Sequence, residues 1–272
     1  MDRLLVVRLE ALGVGAEVRL NGVPVARVAP AAEGRPRLPV VQTAPVHEYT
    51  LAGGNELELV VEPPAPGDEA QPPQPRLGDG ARAASVRLLL PRLGQRAHPE
   101  FARTLAQLDW AAPRAELYQA PTRLRQAVAL PINFPRWRWL DVPAVTDAAP
   151  LRPAAAQYLQ AIALGLARGD PEPFVQAARL RFEELAEAYQ QPLADEVGRF
   201  RAAVQRWHAR QPLAPALPSA ETLRLRPLAD GRLLECLAAD GSPALASPLA
   251  DGGRIAWPMR LAAIEGRLYV LR

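Results

Sequence analysis

Between Ala16 and Pro63 the chain alternates apolar and polar residues on both sides of an Asn-Gly pair, and no other feature constrains its fold as much. Successive side chains of an extended strand point to opposite faces, so alternation marks strands with one buried face. Asn21-Gly22 supplies two residues that tolerate positive φ and close a tight hairpin, pairing Ala16–Leu20 with Val23–Val28. A second strand pair is expected over 47–51 and 56–61, turned by Gly53-Gly54-Asn55. Residues 3–12 read as an edge strand and 84–90 as a further strand. The segment 62–80 is too rich in Pro and Gly for regular structure and reads as a long loop or a linker. Residues 99–108 have the spacing of a short helix, and 128–134 and 137–142 read as strands on either side of Pro135. Together these elements predict a mainly-β sandwich over residues 1–145.

From Pro150 the period changes. Tyr158, Leu159, Ile162 and Leu166 recur at helical spacing, and Gly169 stops that helix. Asp170-Pro171-Glu172 starts a second helix, with an acid near its positive end and Pro in its first turn. The apolar face of that helix holds Phe174, Ala178, Phe182, Leu185 and Tyr189. A third helix follows Pro192, with Leu193, Val197, Phe200, Val204 and Trp207 at alternating steps of four and three. The tail carries turn signals at Asp230-Gly231, Asp240-Gly241, Asp251-Gly252-Gly253 and Glu265-Gly266, which predict an antiparallel meander of roughly four strands. Ile255, Trp257, Met259 and Leu261 fall on one face of one strand. The fold class expected is thus two domains, a β-sandwich and an α+β domain over 150–272, with a boundary near Asp141 to Arg152.

All 32 basic residues are arginine. Without lysine, neither a phosphate-loop amine nor a Schiff base nor a Ser–Lys dyad is available. The usage of Arg, Ala, Leu and Pro points to a GC-rich bacterial genome. Net charge is only +3, with acids and bases interspersed, which argues against nucleic acid as a partner. Cys236 is the one cysteine, so no internal disulfide and no Cys-based metal site is expected. The first residues do not read as a signal peptide and no apolar run is long enough to span a bilayer, so a cytoplasmic protein without membrane contact is expected.

The run V-R-L-N-G-V-P-V, continued by E-Y-T-L and G-G-N-E-L-E-L-V-V-E-P, resembles the galactose-binding-like jelly-roll domains that accompany some glycoside hydrolases. A shorter immunoglobulin-like sandwich matches the same residues, and the likeness implies fold only. The run A-I-A-L-G-L-A-R-G-D-P-E-P-F, residues 161–174, is similar to the start of the nuclear transport factor-like (cystatin-like) α+β fold. That resemblance implies a cone-shaped fold used by enzymes, ligand binders and dimerisation modules alike.

No catalytic residue, no metal ligand set and no cofactor motif stands out. His47 is expected on a strand opposite Glu48, His98 precedes Pro99 in a loop, and His208 lies near a helix end. Gly13-x-Gly15 precedes a strand, and no serine lies in a G-x-S-x-G setting. Glu183, Glu184 and Glu187 read as a solvated helix face, and Glu56 and Glu58 as the outer face of a sheet. The strongest candidate is F-P-R-W-R-W-L-D, residues 134–141. On a strand Trp137 and Trp139 share one face, as a sugar platform, a partner anchor or core filling, with Arg136 and Arg138 on the other. Tyr158, Phe182 and Trp257, with Met259, are candidates to line a pocket or to fill the core of the second half. The function expected is a non-catalytic module that binds another protein, of immunity, adaptor or assembly-factor type. The partner is a different protein or a second copy of the chain. The alternatives are a small-ligand or carbohydrate binder, and an enzyme using the cone-shaped pocket.

Overall fold

The computed structural model describes residues 4–29, 39–62, 82–92, 95, 97–112, 121–130 and 133–272. Most of the Pro-rich stretch at 62–80 lies outside the described residues. The chain divides into two compact units, Met1–Pro135 and Arg136–Arg272.

The first unit is β-rich. Its strands are β1 (Val6–Leu12), β2 (Ala16–Leu20), β3 (Val23–Val28), β4 (Val40–Pro45), β5 (Gly53–Val61), β6 (Ala83–Pro91), β7 (Ala102–Ala111) and β8 (Thr122–Leu130). They form two four-stranded sheets, ordered β4-β1-β6-β7 and β3-β2-β5-β8, with every pair antiparallel. Inward residues of both sheets make one core, including Val7, Leu9, Val18, Leu20, Leu57, Leu59, Val86 and Leu88. Each fully buried Leu contributes about 1.5–3 kcal/mol. The hairpin at Asn21-Gly22 is as the alternation predicts, with φ of 54° and 77°. Asn21 also joins the turn to β5. Its Nδ2–H donates to Asn55 Oδ1 and to the Tyr49 carbonyl, both at 2.8 Å. Its Oδ1 accepts from the Glu56 N–H at 2.9 Å.

Four expectations for this unit are corrected. β1 lies inside its sheet, between β4 and β6, rather than at an edge. Residues 47–49 form a single 3-10 turn rather than a strand, because the His47 ring turns inward and Nε2 accepts the Leu5 N–H at 2.8 Å. Most of 99–108 is strand β7, paired along its length with β6, after a 3-10 turn at Pro99–Phe101. Pairing of this kind overrides local spacing. Glu58 is buried instead of solvated, accepting from Arg125 at 3.0 Å and Arg123 at 3.2 Å across the sheet. Where the two sheets meet along their sides, a glutamine spans each seam. Gln42 of β4 accepts the Arg27 N–H of β3, and Gln126 of β8 accepts the Gln107 N–H of β7, both at 3.1 Å.

The second unit is α+β. Its helices are α1 (Arg152–Ala167), α2 (Glu172–Ala177), α3 (Arg179–Ala188) and α4 (Leu193–Arg210). The helix expected to run from Glu172 to Tyr189 is two helices, since Ala178 leaves helical geometry at φ −97°, ψ 17°. Gly165 lets α1 lie close on α2: an added Cβ would meet Pro173 Cγ at 2.7 Å. The strands are β9 (Arg224–Leu228), β10 (Leu233–Leu237), β11 (Leu245–Pro248), β12 (Arg254–Trp257), β13 (Arg260–Ile264) and β14 (Arg267–Val270). They form a four-stranded sheet ordered β14-β13-β10-β9 and a separate β11-β12 hairpin. The expected single strand from Ile255 to Leu261 is therefore divided at Pro258, and six strands replace the four of the expected meander. Leu159, Ile162, Leu166, Phe174, Phe182, Val204, Leu234, Leu261 and Val270 belong to the core of this unit.

Candidate functional site

The Trp-Arg cluster does not form a strand. Trp137 is extended, and Arg138–Asp141 then makes a 3-10 turn with Leu140 N–H bonded to the Trp137 carbonyl. The two indoles thus do not share an exposed strand face, and both are buried, at 1% and 2% exposure. Trp137 packs beneath the Arg272 guanidinium, 5.6 Å from the ring centroid. The buried Arg272 in turn pairs with Glu184 of α3, which is 3% exposed rather than on the solvated face expected of it, because its carboxylate answers this buried guanidinium. The second Glu184 oxygen accepts the Arg138 N–H at 2.7 Å. The Arg138 side chain donates to the Leu180 carbonyl and to Glu183.

Residues 136–145 therefore form a strap tied to the rest of their unit. Arg232 donates to the carbonyls of Leu140 and Val142, and the Val145 N–H bonds to the Gly231 carbonyl at 2.9 Å. Only glycine fits at 231, where φ is +82° and a Cβ would lie 2.6 Å from the Val145 oxygen. Arg136 is the outward member, paired with Asp141 at 2.6 Å in solvent. That hydrogen bond holds the Asp141 carboxyl below the usual carboxylate range and raises the Arg136 guanidinium. The Arg138 and Val145 N–H groups and the Leu140 and Val142 carbonyls are taken up in anchoring the strap, whereas the Trp139 indole N–H is buried without a hydrogen-bond partner.

The second candidate set lies in packing. Phe182 joins Phe174 and Phe200 in an aromatic cluster with centroids 4.4–6.4 Å apart. Trp257 meets Trp207 edge-on at 6.1 Å and, like Met259, is buried. Tyr158 is half-buried and donates to the Ala177 carbonyl at 3.2 Å; burial pushes its hydroxyl up. Burial likewise raises the Cys236 thiol, which disfavours the reactive thiolate. His98 Nδ1 caps the 3-10 turn at Glu100, and His208 Nδ1 accepts from the Leu213 N–H. Among the described residues, no group of three or more His, Cys, Asp or Glu is placed to hold a metal ion. No helix among them is long and apolar enough to cross a membrane.

The remaining surface of interest was not singled out by motif reasoning. On α1 the positions exposed to solvent between its ends include Ala154, Gln157, Ala161 and Leu164, with Leu164 46% exposed. Their spacing of three and four residues puts them on one stripe. Leu217, 54% exposed, borders that stripe, since the next residue's carbonyl accepts from Gln160 Nε2 of α1 at 2.7 Å. The outer face of α4 is different. It carries Asp195, Arg199, Arg201, Arg206 and Arg210, with Arg199 paired to Glu196 and Arg201 to Glu172. The signal for the α1 face was present in the sequence as a stretch from Pro153 to Ala167 without one charged residue. In comparisons with known proteins no family model, no curated protein and no solved structure matches this chain.

Proposed function

We propose that this protein is a non-catalytic module that binds another protein through the outward face of α1, in an adaptor, immunity or assembly role. The observation that carries the reading is a helix without charge from Pro153 to Ala167 whose outer stripe lies in solvent. A helix with one side in water ordinarily carries charge there, as α4 does. Depletion of charge at the centre of a patch is the compositional mark of a protein interface. Covering Leu164 and Leu217 would remove exposed apolar surface at about 25 cal/mol per Å². We place the module in the cytoplasm, where its single thiol stays reduced. The alternative of a carbohydrate or small-ligand site rests on Trp137, Trp139, Tyr158, Phe182 and Trp257, which are engaged in strap and core packing.

The test is capture of partners from a lysate of the source organism by the tagged chain and by its Leu164→Glu variant, with both melting temperatures recorded. The expected result is a stoichiometric protein partner held by the wild type and lost by a variant of unchanged melting temperature. A chain recovered alone, or a partner that survives Leu164→Glu, overturns the reading.

A further inference from the structure

The loop that joins β9 to β10 carries more backbone strain than a hairpin needs. The hairpins at Asn21-Gly22 and Glu265-Gly266 each close on two residues of positive φ. Between the paired residues Leu228 and Leu233 there are three in a row, Ala229, Asp230 and Gly231, at 48°, 56° and 82°. Ala229 is the most strained of them, since its Cβ crowds a carbonyl oxygen in the left-handed region and it has no polar side-chain atom to compensate. The strap accounts for this conformation. Gly231 turns its carbonyl to the Val145 N–H at 2.9 Å, at a position where a Cβ would strike the Val145 oxygen. The next residue, Arg232, donates to the Leu140 and Val142 carbonyls. Two consecutive residues of the loop thus hold three backbone groups of the strap. The held segment carries a penalty of its own, because the Trp139 indole N–H is buried with no hydrogen-bond partner among the described residues.

We infer that residues 136–145 are a latch with a closed and an open state. In the closed state the loop is strained and the Trp139 donor is unsatisfied. In the open state the strap leaves the loop, Ala229 relaxes out of the left-handed region, and Trp137 and Trp139 pass from burial to the surface. Both penalties belong to the closed state and one movement removes both, so the latch opens at a lower free energy than the α+β unit unfolds. Glu184 sets the balance from the other end of the strap. Its carboxylate accepts the Arg138 N–H at 2.7 Å and pairs with Arg272, whose guanidinium lies over Trp137.

The test is native-state hydrogen exchange on the full chain. It compares the N–H groups of Arg138, Leu140 and Val145 with that of Cys236, which bonds to the Met259 carbonyl in the same unit. The three strap amides are expected to exchange together, about tenfold or more faster than Cys236. Ala229→Gly removes the left-handed penalty and is expected to slow strap exchange about tenfold, the scale of one left-handed alanine. Gly231→Ala sets a methyl group against Val145 and is expected to speed it. Strap amides that exchange in step with Cys236 overturn the latch, since the strap then opens only when the unit unfolds. Ala229→Gly that leaves the strap amides unchanged also overturns it, because the strain then belongs to the hairpin whether or not the strap is docked.

Discussion

The two units bring distant polar side chains together by different means, for the separations overlap: 65 and 67 positions for Glu58 and its arginines in the first unit, 46 and 88 for the partners of Glu184 in the second. In the first, polar groups bond across neighbouring strands: Glu58 to Arg123 and Arg125, Asn21 to Asn55, Gln126 to the Gln107 N–H. Glu58 faces Arg125 in register, and Asn21 and Asn55 meet at the end of the β2–β5 pair, so strand pairing brings these together, while Gln126 reaches the Gln107 N–H where the two sheets meet. In the second, Glu184 gathers Arg138 from 46 positions away and Arg272 from 88. No local pattern brings those three together; only the completed fold does. Polar groups therefore finish a sandwich that alternation has already specified, whereas in the α+β unit they hold in place an irregular strap that no periodicity specifies.

The strongest way to break this contrast is Glu184→Ala. It strands the buried Arg272 charge and the Arg138 N–H, and removing one member of a buried pair costs about 3–5 kcal/mol. Chemical denaturation should show that loss, with Glu184→Gln losing less because one acceptor for Arg138 survives. An equal loss in both would assign the effect to charge alone. Asn55→Ala comes next. It removes the acceptor for Leu51 N–H and Asn21 at a buried position, an expected loss of about 1–3 kcal/mol. If Asn55→Ala proves as damaging as Glu184→Ala, the contrast between the units fails. The smallest effect belongs to Asp141→Asn, because the Arg136 pair lies in solvent. Its carboxyl is held low in the folded chain, so whatever the pair contributes is present above the unfolded carboxylate range. It is lost as pH falls through the lowered one. Melting curves of wild type and variant should coincide in acid and differ barely, if at all, at neutral pH.

How much was legible in the sequence follows the same divide. The alternation around Asn21-Gly22 announced β2, β3 and β5, because a period of two is read from adjacent residues. The helices α1 and α4 were legible by the same kind of local period. Residues 99–108 imitated a helix, yet pairing of β7 with β6 made most of that stretch a strand. Trp137 and Trp139 suggested a platform because their composition was visible while Glu184 and Arg272, which set the strap's course, were not adjacent to them. For the candidate site, motif reasoning looked for chemistry that is present. The α1 face is marked by charge that is missing, a signal that gains meaning only once the stripe is known to face water.

The two seam glutamines have a consequence beyond their own unit. A strand at the side of a sheet offers its unpaired N–H groups as a template on which a foreign strand can assemble. Gln42 and Gln126 place an amide oxygen on the Arg27 and Gln107 N–H groups and so occupy one rung at each side with the chain's own atoms. An incoming strand would have to displace a side chain before adding its first bond there. Strand addition is thereby discouraged at those two rungs.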